Sequence, residues 1–255
     1  MGGFGRLRHR AVLAASARPG LYFGLRRLTG THDRLCVRRD TDIVIEGFPR
    51  SANSTTVTHF RLRQRRPVFI AHHKHHAAQL IRAADWGIPA VALVRAPRDA
   101  VVSLLAMLEE ARRRRDAGEA DPAGGAQREG AGIVGDVLIE NGPDFEGALR
   151  WWTGFYRPLL PVGGSMVVVP FEQATGDIAD VIEAVNARFG TDFRSAETRR
   201  SRKRRFGFRS MPNPLRDTVK REMEEALAAA LDTDAGLRAL AEEAEALHAR
   251  VLERG

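Results

Sequence analysis

The stretch Asp42-Ile43-Val44-Ile45-Glu46-Gly47-Phe48-Pro49-Arg50-Ser51-Ala52-Asn53-Ser54-Thr55-Thr56 decides how this chain is read. Ile43, Val44 and Ile45 make a short β-branched run that stops at Gly47, and small hydroxyl and amide residues follow Pro49 and Arg50. That order predicts a buried strand, a tight loop and a helix continuing through Val57, Phe60 and Arg61. Ser51, Asn53, Ser54 and Thr55 are capping residue types, so they are expected at the helix start. The first N–H groups of a helix lack partners within it and carry partial positive charge. Hydroxyls and an arginine placed there form a phosphate cradle. The same residues also suit an ordinary strand, turn and capped helix, and only the rest of the chain separates the two readings.

Working outward, Arg61, Arg63, Arg65 and Arg66 crowd the end of this helix, where cations suit its dipole, and Pro67 stops it. Val68, Phe69 and Ile70 read as a second strand that runs directly into His72, His73, Lys74, His75 and His76. Leu80, Ile81 and Trp86 predict a helix closed by Gly87, and a third strand spans Ala90 to Val94 with Arg95 at its end. Pro97 suits the first turn of the next helix, whose Val101, Leu104, Leu105 and Leu108 line one face. The charged, then Gly- and Ala-rich region within 112–142 predicts a flexible loop. Phe145, Leu149, Trp152, Tyr156 and Leu159 restore helical spacing. Met166 to Val169 form a fourth strand ending at Phe171-Glu172, and Ile178, Val181, Ile182, Val185 and Phe189 predict a helix closed by Gly190.

Strands alternating with helices predict an α/β fold, a three-layer sandwich around a mostly parallel sheet, extended by C-terminal helices over residues 217–253. In such sheets ligands bind beyond the carboxyl ends of the strands. The Arg50 loop, the histidines, Arg95 and Phe171-Glu172 all fall at those ends.

The 255 residues suit a single domain over 41–255 behind a basic leader, 1–40. Lys+Arg 40 against Asp+Glu 32 gives a formal charge of +8, which fits nucleic acid, an anionic membrane, or a phosphorylated or sulfated small molecule. Arg6, Arg8, Arg10, Arg18, Arg26 and Arg27 all precede the first acidic residue, Asp33, as in a transit peptide or a leader packed on the domain. Leu21, Tyr22, Phe23, Leu25 and Leu28 suggest a short amphipathic helix there. The apolar run from Ala11 to Ala15 is too short for a signal core or a membrane span. Cys36 stands alone, which excludes an intrachain disulfide and a Cys-rich zinc site and makes a reducing cytoplasm the expected compartment.

Gly47-Phe48-Pro49-Arg50-Ser51-Ala52-Asn53-Ser54-Thr55 and Val94-Arg95-Ala96-Pro97-Arg98-Asp99-Ala100-Val101-Val102-Ser103 together resemble the two nucleotide-binding signatures of the sulfotransferases. Those enzymes use 3′-phosphoadenylyl sulfate (PAPS) as donor. The resemblance covers about residues 41 to 108 and implies a P-loop NTPase-like fold. Phe171-Glu172 stands where the family often has Tyr-Glu-Asp. Ala52 replaces the family's loop glycine, Ala71 replaces a lysine, and Arg202, Lys203 and Arg204 only roughly match its C-terminal Arg-Lys-Gly signature.

The resemblance assigns the 5′-phosphosulfate of PAPS to Arg50, Ser51, Ala52, Asn53, Ser54 and Thr55. Arg50 would offset charge on the bridging oxygen, while Arg95 and Ser103 would grip the 3′-phosphate. The family's catalytic histidine aligns with His73, with His72 next, as the base that takes the acceptor's proton. No metal is expected, since no acidic metal pair is evident. The histidines have two other readings: surface residues, or a metal pair at His72 and His76 on one helix face. The acceptor, a small molecule or carbohydrate bearing a hydroxyl or amine, is not legible; Trp151, Trp152, Tyr156 and the 112–135 loop are candidates to shape its pocket. Two rival functions stand beside this one. A nucleotide kinase would normally show Gly-Lys-Ser or Gly-Lys-Thr in the loop, which is missing here. A nucleic-acid or polyanion binder would use Arg199 to Arg209 with Phe206 and Phe208, and nucleic acid is the less expected partner.

Overall fold

A computed structural model describes residues 11–118, 138–198 and 214–254. Strands β1 (Ile43–Gly47), β2 (Ile70–Ala71), β3 (Ala90–Val94) and β4 (Val167–Pro170) form one sheet in the order β2-β1-β3-β4, with every neighbouring pair parallel. Val44 opposes Ala90, Gly47 opposes Leu93, and Val94 opposes Pro170, so the carboxyl ends of the strands line up along one edge. The second strand is shorter than the expected Val68–Ile70. Asp42 takes the Phe69 N–H through Oδ2 at 2.6 Å, and ladder pairing begins only at Ile70.

Alternate residues of the strands face opposite sides. Val44, Ala90, Ala92 and Val94 join a core with α3 (Ala78–Trp86), α4 (Pro97–Asp116), α5 (Phe145–Tyr156) and α9 (Ala235–Leu252). Ile43, Ile45, Val91 and Leu93 pack on the other side against α2 (Asn53–Arg63), the short α6 (Phe171–Thr175) and α7 (Ala179–Phe189). The result is an α/β sandwich of three layers. Burial on both faces explains why β1 and β3 read as continuous apolar runs rather than alternating ones. Helix α8 (Pro214–Thr233) packs along α4, and α1 (Pro19–Leu28) buries Tyr22 and Phe23 in the first core. Among the described residues no helix is long and apolar enough to cross a membrane.

Two boundaries differ from expectation for identifiable reasons. Helix α4 runs to Asp116, into the expected loop, because Arg112 and Arg113 pair with Glu109 and Arg114 pairs with Glu110, one turn back. The C-terminal helix begins at Pro214 rather than near Asp217, since proline is tolerated in a first turn. Most of the expected loop, the leader's first ten residues and the basic segment from Arg199, including Arg202, Lys203 and Arg204, lie outside the described residues.

Gly47 lies tight against β3: a Cβ there would overlap the Leu93 carbonyl oxygen and meet Leu93 Cβ at 2.9 Å. Gly47→Ala is therefore expected to destabilise by about 1–3 kcal/mol, through overpacking against rigid backbone. A thermal melt checks this, with a fall of about 2–4 °C for each kcal/mol.

Candidate anion site at the strand carboxyl ends

The loop after β1 is held from below by α5. The Tyr156 hydroxyl donates to Leu93 O at 2.6 Å and accepts the Phe48 N–H at 3.2 Å. Asn53 Nδ2 donates to Phe48 O at 3.1 Å. Between these anchors Arg50 and Ala52 take left-handed backbone, with φ of 70° and 69°. Ala52 thus occupies a conformation that favours glycine, at a cost of about 1–2 kcal/mol for an L residue. Strain of this kind persists where the surrounding structure enforces it, commonly at ligand sites.

The expected capping does not occur. Ala52 sits at the N-cap of α2, with no side-chain cap, because the capping types have other partners. Asn53 holds Phe48 O, Ser54 Oγ meets His73 Nε2 at 2.8 Å, and Ser51 is buried beside Tyr156. Among the described residues, no hydrogen bond engages the N–H groups of Ala52, Asn53, Ser54 or Thr55. The first turn of α2 therefore presents free donors at the positive end of a helix dipole.

Two guanidinium groups stand beside that turn. Arg50 Nε donates to Ser103 Oγ at 3.1 Å, and Arg95 Nη1 donates to Arg50 O at 3.1 Å. Ser103, on α4 and expected with Arg95 at the 3′-phosphate, has its hydroxyl on Arg50. Arg95 stacks its guanidinium 4.2 Å above the Phe171 ring, and its buried Nε has no partner among the described residues. Trp152 Nε1 donates to Arg95 O at 3.1 Å and so fixes the β3 end. Burial, then the charges of Arg216 and Arg95, pull Arg50 down to about 10, with Glu110 opposing. Arg216 was not singled out by sequence reasoning; it reaches the site from α8 and donates to Glu110 Oε2 at 2.7 Å. Crowded, partly desolvated cations make a region of positive potential that favours an anion.

The histidines follow β2 in extended, turning backbone and not in a helix, with His73 and His75 at φ of 57° and 54°. This removes the shared helix face on which a His72–His76 metal pair depends. His72 turns toward Arg61 of α2, whose Nη2 meets His72 Nε2 at 2.9 Å. His76 turns toward α1 and meets the Tyr22 ring edge-on at 5.1 Å between centroids. His72 and His73 share a hydrogen bond between their Nδ1 atoms. His75 Nδ1 lies 2.7 Å from Gly47 O. Burial, followed by neighbouring cations and histidines, pulls His72 down to about 3 and His73 to about 4. Burial likewise brings His75 to about 4, so all three are neutral at pH 7.

Beneath them lies Glu46, fully buried at the end of β1 and also missed in the sequence, where a lone carboxylate in an apolar strand was the available signal. Its Oε2 accepts the Lys74 N–H at 2.8 Å, and burial raises its carboxyl above the ordinary range. Trp151, Trp152 and Tyr156 do not line an acceptor pocket. All three are buried, with Trp151 Nε1 on His75 O at 3.3 Å, and their polar atoms hold the site's backbone in place.

The structure thus brings Arg50, Ser54, Arg95, Ser103, His72 and His73 to one region at the strand ends. No family model, curated protein or solved structure matches the chain.

Proposed function

We propose that the chain is a sulfotransferase on a P-loop NTPase-like fold, moving a sulfuryl group from PAPS to a hydroxyl or amine of a small-molecule or carbohydrate acceptor. The observation that carries this reading is the uncapped first turn of α2, set beside Arg50 and Arg95 at the carboxyl ends of parallel strands. The N–H groups of Ala52 to Thr55, with the Ser54 and Thr55 hydroxyls, would hold the 5′-phosphosulfate. Arg50 would offset charge that grows on the bridging oxygen as the sulfur–oxygen bond breaks. Arg95, whose buried Nε supplies a spare donor, would take the 3′-phosphate, with Ser103 at hand through Arg50. Positioning and charge stabilisation supply most of the rate in this scheme.

Titration calorimetry with adenosine 3′,5′-bisphosphate tests the reading. The wild type is expected to bind, and Arg95→Ala to bind about 10- to 100-fold more weakly, as for loss of a charge-assisted contact. Equal binding by both proteins, or tight binding of magnesium ATP with none of the bisphosphate, would sink it.

A further inference from the structure

We infer that the histidines divide their labour, with His73 a positioning residue that donates to Ser54 and His75 the base that takes the acceptor's proton. The argument starts from groups with no choice of role. Arg61 can only donate, so His72 Nε2 must accept and a neutral His72 carries its proton on Nδ1. That proton is then given to His73 Nδ1, which must accept. A neutral His73 therefore carries its own proton on Nε2, the atom 2.8 Å from Ser54 Oγ. Ser54 accepts from His73, and its own hydrogen is released to point at an anion on the uncapped turn. The nitrogen of His73 that reaches the site is thus a donor, the wrong state for a base.

His75 is fixed the other way. The Gly47 carbonyl can only accept, so His75 carries its proton on Nδ1 and leaves a lone pair on Nε2. No hydrogen bond engages that Nε2 among the described residues, and the residue is 7% exposed. The His75 ring lies 5.7 Å from that of His73, centroid to centroid, and His73 itself meets Ser54. Anchoring one imidazole nitrogen on an oxygen orients the ring and favours the cation formed when the other nitrogen takes a proton. Glu46 Oε1 lies 3.6 Å from His75 Nδ1, while burial and the charge of Lys74 oppose the cation.

The base role rests on the sulfuryl-transfer reading. The acceptor's O–H or N–H proton passes to His75 Nε2 as its lone pair bonds to sulfur. The bond from sulfur to the 5′-phosphate oxygen breaks, its electron pair leaves with adenosine 3′,5′-bisphosphate, and the imidazolium later loses its proton to water.

Side-chain nitrogen NMR of the 15N-histidine-labelled wild type tests the tautomers without any assumption about function. His73 is expected protonated on Nε2 and His75 on Nδ1; the opposite tautomer at either residue overturns the assignment. Release of sulfate from PAPS into water then tests the base, with no acceptor needed. His75→Asn keeps a donor for Gly47 O and is expected to lower release about 100-fold or more, with bisphosphate affinity changed by less than about threefold. Full release by that variant overturns the base role. His73→Ala is expected to weaken bisphosphate binding about fivefold. His73→Gln, whose amide can still donate to Ser54, is expected to restore it; failure of that rescue overturns the positioning role. A wild type that ignores the bisphosphate overturns the sulfotransferase reading and the base with it, while the nitrogen spectra decide the tautomers independently.

Discussion

Arg50→Met is expected to lower sulfuryl transfer about 100- to 1,000-fold, the loss typical when a preorganised donor to a developing oxyanion is removed. The melting temperature is expected to stay the same or rise. Both expectations come from one feature. Arg50 is largely desolvated, and two further guanidinium groups, Arg95 and Arg216, act on it strongly enough, with burial, to bring it down to about 10. Without a bound anion that arrangement works against the fold, because a buried charge among like charges has little to offset its lost hydration. Methionine fills similar apolar space and suits the neighbouring Met107, whose Sδ lies 3.8 Å from Arg50 Nη1. Removing the guanidinium thus relieves repulsion while removing the group that meets the leaving phosphate. The check is a paired measurement of sulfate release from PAPS and of thermal unfolding for the two proteins. A variant that melts far below the wild type would mean that Arg50 serves the fold; one that releases sulfate at the wild-type rate would mean that it does not serve the reaction.

How much of this was legible in the sequence depends on how far apart the interacting residues lie. The strands at Ile43–Gly47 and Ala90–Val94 were readable because burial on both faces selects apolar side chains at nearly every position, Glu46 being the exception. The helix ends at Gly87 and Gly190 were readable because a left-handed cap selects glycine, and both have φ near 65°. Arg50 and Arg95 were placed at the strand ends by the same local logic. Capping was misread because it is a competition. Ser54 and Asn53 are good caps in isolation, but a histidine 19 residues away and the Phe48 carbonyl claim their side chains. The contact of Ser103 with Arg50 was not legible for a similar reason: the two lie 53 residues apart, and nothing local specifies which guanidinium reaches the hydroxyl. The indoles of Trp151 and Trp152 gave no sequence signal of their task, since an aromatic stripe looks alike whether or not its N–H holds a distant carbonyl. The histidine tautomers lie furthest beyond sequence, being set by Arg61 and by the Gly47 carbonyl through contacts that exist only in the fold.

Those same contacts lead to a prediction about acid. Lowering the pH from 7 to 5 is expected to destabilise the protein by about 2 kcal/mol through His75 alone, from a folded value of about 4 against an ordinary 6.5. The sign follows from proton counting. Below pH 6.5 the unfolded chain takes up a proton on this histidine that the folded chain refuses, so stability falls as pH drops and levels off near pH 4. His72 and His73, held at about 3 and about 4, push in the same direction; because they share a hydrogen bond they titrate as a pair and do not simply add. Glu46 acts oppositely. Its raised carboxyl favours the folded state at low pH, and that contribution is lost as pH rises past its folded value, above the ordinary carboxylate range. Melting temperature against pH is the measurement, with a fall of about 4–8 °C expected for the His75 share. In His75→Asn that share should vanish, leaving a shallower slope. The same slope in the wild type and in His75→Asn would show that His75 accepts a proton freely within the fold. Burial would then not hold it in its neutral form.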